Sequence, residues 1–218
     1  MLILDLAAEH VPATLLRQQR LAALVGDRVL DVDLDSGVAR FEAEGDDADP
    51  LTFDLQVIGS VNEAEQSFTW GWATGGDPRL VTGVAALRDY GVEHNVAELT
   101  EAIWHTDDVD PFLLAAIARG WCQADAMYRA PAPGGAVYLL LGDVDLPPAT
   151  APQVVQALTT GIALTPMDHR AAALSLFGDN GFSVTGMDDL VVASVDGQLV
   201  NVVYTEDGTI ADVTVSRL

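Results

Sequence analysis

The chain has 218 residues, half of them hydrophobic, with 33 acidic side chains against ten basic ones and a net charge of −23. All ten basic residues are arginine, which excludes every mechanism built on a lysine, such as a P-loop or a Schiff base. A single cysteine, Cys122, excludes an intrachain disulfide, and no apolar run approaches the ~20 residues needed to span a bilayer as a helix.

In chain order, the spacing of Leu15, Leu16, Ala23 and Leu24 predicts a helix from about Pro12 to Leu24, with the proline in its first turn and Gly26 stopping it. The period then becomes two. Val29 to Leu34 alternates apolar and acidic residues as a half-buried strand does, Asp35-Ser36-Gly37 turns, and Val38 to Ala43 returns. An acidic loop follows at residues 44–50. A third strand is expected over Phe53 to Ile58, with Phe53, Leu55 and Val57 on one face, and a fourth over Ser67 to Ala73, with Phe68, Trp70 and Trp72 on one face.

Helices are expected from Pro78 to Tyr90, ending at Gly91, and from Asp110 to Tyr128, opened by Asp110 as N-cap and Pro111. Ala136 to Leu141 reads as another strand. Helices near Pro152–Ile162 and Pro166–Phe177 then lead into four short strands, around Phe182 and over Leu190–Val195, Leu199–Thr205 and Ile210–Val215. Asp196-Gly197 and Asp207-Gly208 are hairpin turns in this reading.

The fold class is therefore α+β, with twisted antiparallel sheets covered by helices. A helix followed by a four-strand meander occurs twice in outline, the pattern of cystatin-like units. The turn-rich stretch from Gly142 to Pro152 suggests a division into residues 1–142 and 150–218, packed together as one compact unit.

Ile58-Gly59-Ser60, followed by Phe68-Thr69-Trp70-Gly71-Trp72-Ala73, resembles a motif of an uncharacterised family of bacterial proteins. In that family a Leu-Gly-Ser strand end precedes a strand reading Trp-x-Trp-x-Trp-Ala-Asn. Arg88-Asp89-Tyr90-Gly91 and Met127-Tyr128-Arg129-Ala130-Pro131 are similar to it as well, so the resemblance covers roughly residues 50–142. Phe68 stands where the family has its first Trp, and Thr74 where it has Asn. The resemblance implies the hairpin and the helices after it, and it supplies no catalytic residue.

Four groups of residues carry the chemistry that this sequence offers. Asp31, Asp33, Asp35 and Glu42 stand at positions 1, 3, 5 and 12 of a calcium-loop pattern, but Ser36 occupies the position where that loop needs glycine. The alternation of these aspartates with Leu30, Val32 and Leu34 reads instead as the wet face of a hairpin. His105, Asp107, Asp108 and Asp110 could hold a divalent cation, or serve as caps and first-turn residues where one helix gives way to the next. Phe68, Trp70 and Trp72 either fill the core or, with His105 as the polar group, wall a ligand pocket. Cys122, inside a helix, reads as a buried structural thiol.

The expectation for function is a non-enzymatic, acidic binding or interaction module without a cofactor. Its partner would be another protein, a basic one by charge, and exposed strand edges allow a homodimer. A small-molecule binder or enzyme using Trp70 and Trp72 is the rival, and metal binding at Asp107, Asp108 and Asp110 a third reading. Scattered arginines argue against nucleic acid. The opening Met-Leu-Ile-Leu-Asp lacks a basic signal-peptide start, so the expected location is the cytoplasm, away from membranes.

Overall fold

The protein is described by a computed structural model over residues 3–43 and 49–217, so residues 44–48 of the acidic loop lie outside the described residues. Its first helix, α1, spans Ile3–Val25 and carries Pro12 in its interior rather than at its start. An interior proline gives up one helical hydrogen bond and costs about 3 kcal/mol in an isolated helix. Burial offsets that cost: Leu6, Ala8, Val11, Leu16, Leu21 and Val25 are all buried, so α1 contributes to every hydrophobic core of the molecule. The proline ring itself is used in packing. It sits so close to Gly161 that a Cβ there would lie 2.9 Å from Pro12 Cγ.

The first sheet has seven antiparallel strands: β1 (Val29–Asp33), β2 (Val38–Glu42), β3 (Leu51–Asn62), β4 (Ser67–Trp70), β5 (Ile103–His105), β6 (Ala126–Ala132) and β7 (Gly135–Gly142). Its axis is β3, longer than the sequence period suggests. One edge of β3 is taken by β7, from Asp54 to Asn62. The other edge is shared, with β2 pairing over Leu51–Asp54 and β4 over Gly59–Asn62. The residues between them, 55–58, are approached by two 3-10 turns, Gly71–Ala73 and Pro78–Val81. Gly71 is required there, because a Cβ would lie 2.7 Å from Val57 O.

Helices α2 (Thr82–His94), α3 (Ala97–Thr100) and α4 (Pro111–Trp121) complete the first two thirds of the chain. The core around Phe68, Trp70, Tyr138 and Leu140 draws on α2 through Leu87, on α3 through Leu99 and on α4 through Leu114 and Ile117. Helices α5 (Ala151–Leu164) and α6 (His169–Asp179) pack on a second sheet of β8 (Ser183–Met187), β9 (Leu190–Val195), β10 (Gln198–Tyr204) and β11 (Ile210–Arg217). That sheet is a simple meander in the order β11-β10-β9-β8. The α+β architecture with antiparallel sheets is thus established. The two outlines are alike only over their first four strands, since the first sheet goes on to add β5, β6 and β7.

Several boundaries differ from the sequence reading, each for a tertiary reason. The helix expected to run to Tyr128 ends at Trp121, where Gln123 turns left-handed at φ +55°. Met127 and Tyr128 instead pair with Leu140 and Leu139 of β7. Gly91 lies inside α2 rather than ending it, because Leu99 packs where its side chain would be: a Cβ would sit 2.6 Å from Leu99 Cβ. Asn95, at φ +55°, closes that helix in its place. The fourth strand stops at Trp70, so Trp72 lies in a 3-10 turn and does not share a strand face with Phe68.

Candidate functional site

A bulge in β3 builds the most distinctive surface feature of the molecule. The pairing of β3 with β7 slips between Val57 and Gly59, leaving Ile58 as the extra residue. A bulge turns the strand out of its two-residue period. Ile58 therefore enters the aromatic core, while Val57 and Ser60, opposite Leu139 and Val137, both face the other side of the sheet.

On that side lies a cleft of about 540 Å³. Its floor is Val57, Val137 and Leu139, and its walls are Val32 and Leu34 from β1 and its turn, with Leu80 from the second 3-10 turn. The polar groups that reach it are Ser60, Thr74, Asp35 and Asp77, and neither histidine nor cysteine lines it. The two lips are tied together by one side chain. Arg79 pairs with Asp77, Nη2 donating at 2.6 Å and Nε at 2.9 Å, and the same Nη2 donates to Asp35 O at 3.3 Å. Asp77 also accepts from Arg79 N at 2.9 Å, and these hydrogen bonds hold its carboxyl below the usual carboxylate range. Gly37, at φ +72°, brings the β1–β2 turn against Leu80.

Of the residues singled out in the sequence for their chemistry, Asp35 lines the cleft and the others fall elsewhere. Phe68 and Trp70 are fully buried and touch edge-to-face at 5.2 Å, with Trp70 Nε1 donating to Glu98 O. Gly59 makes room for them, since a Cβ there would lie 2.5 Å from Phe68 Cζ. Trp72 is half-buried beneath the Arg88 guanidinium, 5.3 Å from its ring centre. His105 sits on β5 opposite Ser67, its side chain 45% exposed. The structure thus brings Phe68 and Trp70 together, sets Trp72 at the margin of the same core and leaves His105 exposed.

Asp110 caps α4, accepting from Phe112 N at 2.8 Å, and Asp107 lies beside His105, with 3.7 Å between Oδ2 and Nδ1. Asp108 contributes a backbone bond to His105 O. Among the described residues, no group of three or more His, Cys, Asp or Glu side chains is placed to hold a metal ion. Asp31 stands across from Arg40 in a hairpin, and Asp33 accepts from the amides of Asp35 and Ser36 to close its turn. Asp168 caps α6, and its neighbour His169 accepts from Ile210 N at 3.0 Å. Burial pushes the Cys122 thiol up to about 11.

One polar cluster had no signal in the sequence. Arg119 of α4 is 1% exposed, donating from Nε to Thr14 Oγ1 and from Nη1 to Asp179. Asp179 also takes Arg17 Nε at 2.7 Å, while Arg119 Nη2 has no hydrogen-bond partner among the described residues. Beside them, burial first and the Arg119 charge second lower the His10 imidazole from 6.5 to about 4. The residues come from three helices, and Arg17 and Asp179 alone lie 162 positions apart, so only their fold assembles them.

No curated protein and no solved structure matches the chain. Residues 4–144, from the start of α1 to just past β7, match a family of unknown function. The sheet that carries the cleft, with Ile58-Gly59-Ser60 at its bulge, falls within that match, and the chain belongs to the family of unknown function DUF6882.

Proposed function

We propose that the protein is a non-enzymatic binding module, and that its binding element is the apolar cleft between the β1–β2 hairpin and the 71–81 segment. The observation that carries this reading is the cleft's make-up. Its volume of about 540 Å³ is that of a small-molecule site, and its interior is aliphatic while its polar groups are few. Asp77 is committed to Arg79 by its hydrogen bonds, which suits holding a ligand better than bond-making.

The charge of the molecule narrows the ligand class. A net charge of −23, with Asp35 and Asp77 at the cleft, disfavours anions, so the ligand is an apolar molecule that is neutral or carries a positive group. The test is a titration with the neutral fluorescent probe N-phenyl-1-naphthylamine. Saturable one-to-one binding that weakens at least tenfold in Ser60→Phe supports the reading. Absence of saturable binding, or binding indifferent to Ser60→Phe and Val137→Phe, overturns it.

A second reading concerns a macromolecular partner. The same charge steers encounters with basic proteins, most strongly at low salt. It predicts association with a basic protein at the acidic surface, lost steeply as salt rises, whether or not the cleft is filled.

A further inference from the structure

We propose that the outer face of the second sheet is a self-association surface, through which two copies of this chain pair face to face. The helices α5 and α6 cover only one side of that sheet, where Val191, Ala193, Val200 and Val202 are buried. The strand register defines the other side. Met187 lies opposite Leu190, Leu190 opposite Val203, and Val203 opposite Asp212, so these four form a row across all four strands. Val192 and Leu199 lie on the same side, and neither they nor Leu190 and Val203 belong to any core cluster of the described residues.

The occupant follows from charge. Of the outward positions on these strands only Asp212, on the edge strand β11, is charged; the others are aliphatic, Met, Ser, Thr or Asn. One fifth of the whole chain is charged, with 33 acidic side chains against ten arginines. A basic partner would gain nothing from an uncharged face. A second copy would, because it is repelled wherever carboxylates confront one another, and here none stands at the centre of contact. Two such faces stack at about 10 Å as in a sandwich, with Leu190, Val192, Leu199 and Val203 between the sheets.

The size of the face sets the strength. Four strands at ~4.8 Å spacing and six residues at ~3.3 Å rise give a flat footprint of about 400 Å². A standard interface takes ~800 Å² from each partner, so the dimer is weak and reversible. Residual repulsion between two chains of charge −23 makes it tighter in salt, opposite to the behaviour of an association between acidic and basic proteins.

Sedimentation equilibrium from about 10 µM to about 1 mM protein, in low and in high sodium chloride, tests this. Monomer is expected at the low end and dimer at the high end, with Kd falling at least tenfold as the Debye length drops from ~14 Å to ~4 Å. The double variant Val192→Asp/Leu199→Asp should stay monomeric throughout with an unchanged far-UV circular dichroism spectrum. Should it fail to fold, Val203→Asp, at a position already 37% exposed, takes its place. A wild-type chain that remains monomeric at the highest concentration in high salt overturns the proposal. So does a dimer that persists in a folded variant, since it must use another surface.

Discussion

Trp70 and Trp104 donate their indole N–H groups to the same acceptor, Glu98 O, at 3.0 and 3.1 Å. A carbonyl has two lone pairs and can satisfy both donors. Glu98 lies in the single-turn helix α3, whose carbonyls largely lack helical partners, so each side gains a needed bond. This contact fixes α3 on the edge of the first sheet.

The two tryptophans should differ when replaced. Trp70→Phe opens a void in a fully buried site and removes the indole donor, and a loss of about 3 kcal/mol is expected. Trp104→Phe trims a half-buried indole and deletes its donor while Trp70 still satisfies the carbonyl, so about 1 kcal/mol is expected. Urea unfolding of the two variants checks the order; equal losses would contradict it.

The Arg119–Asp179 pair gives a sharper expectation. Asp179 links α6 to α1 through Arg17 and to α4 through Arg119, whose guanidinium is buried. Burial alone would raise the Asp179 pKa, but Arg119 and Arg17 together outweigh it and hold the carboxyl below its usual range. Asp179→Ala strands the Arg119 charge and should cost about 3–5 kcal/mol. Differential scanning calorimetry would show a large fall in Tm, and a loss within ~0.5 kcal/mol would refute the pairing.

His10 predicts a pH dependence. Its folded pKa, about 4, is below the 6.5 of the unfolded chain, so between these values the unfolded chain binds a proton that the native one does not. Stability is then full above pH 6.5, declines as the pH falls to about 4, and has lost its share below that. The expected contribution is about 3 kcal/mol. Unfolding free energies from pH 7 to 4 should fall less steeply in His10→Gln than in the wild type.

Gly59 offers a steric test. A Cβ there would lie 2.5 Å from both Phe68 Cζ and Thr69 O, and the second of these is backbone that cannot swing aside. Gly59→Ala should destabilise by about 2–3 kcal/mol. The paired variant Gly59→Ala/Phe68→Leu, which clears only the ring, should recover part of that loss and not all of it.

Period and turn chemistry alone specified much of this protein. The β1–β2 hairpin was legible because Leu30 and Val32 alternate with aspartates before a glycine turn, and β9 because Leu190 to Val195 is a short apolar run beside Asp196-Gly197. In that turn both residues adopt positive φ, at +47° and +70°, as a tight hairpin between right-twisted strands requires. The cap Asp110 was equally local, since its side chain needs only an amide two residues away.

The structure decided what depends on distant neighbours. Pro12 lies inside α1 because α4, α5 and α6 bury that helix on several sides, and Met127 and Tyr128 became strand because β7 offered them a partner. The cleft needed most of all, joining Val32, Val57, Leu80 and Val137, whose positions span more than a hundred residues. Its geometry turns on one bulged residue, Ile58, that reverses which side chains of β3 face which way. Local periodicity states that a strand has two faces, but only pairing with β7 determines where those faces exchange and therefore which residues line a cavity and which fill a core.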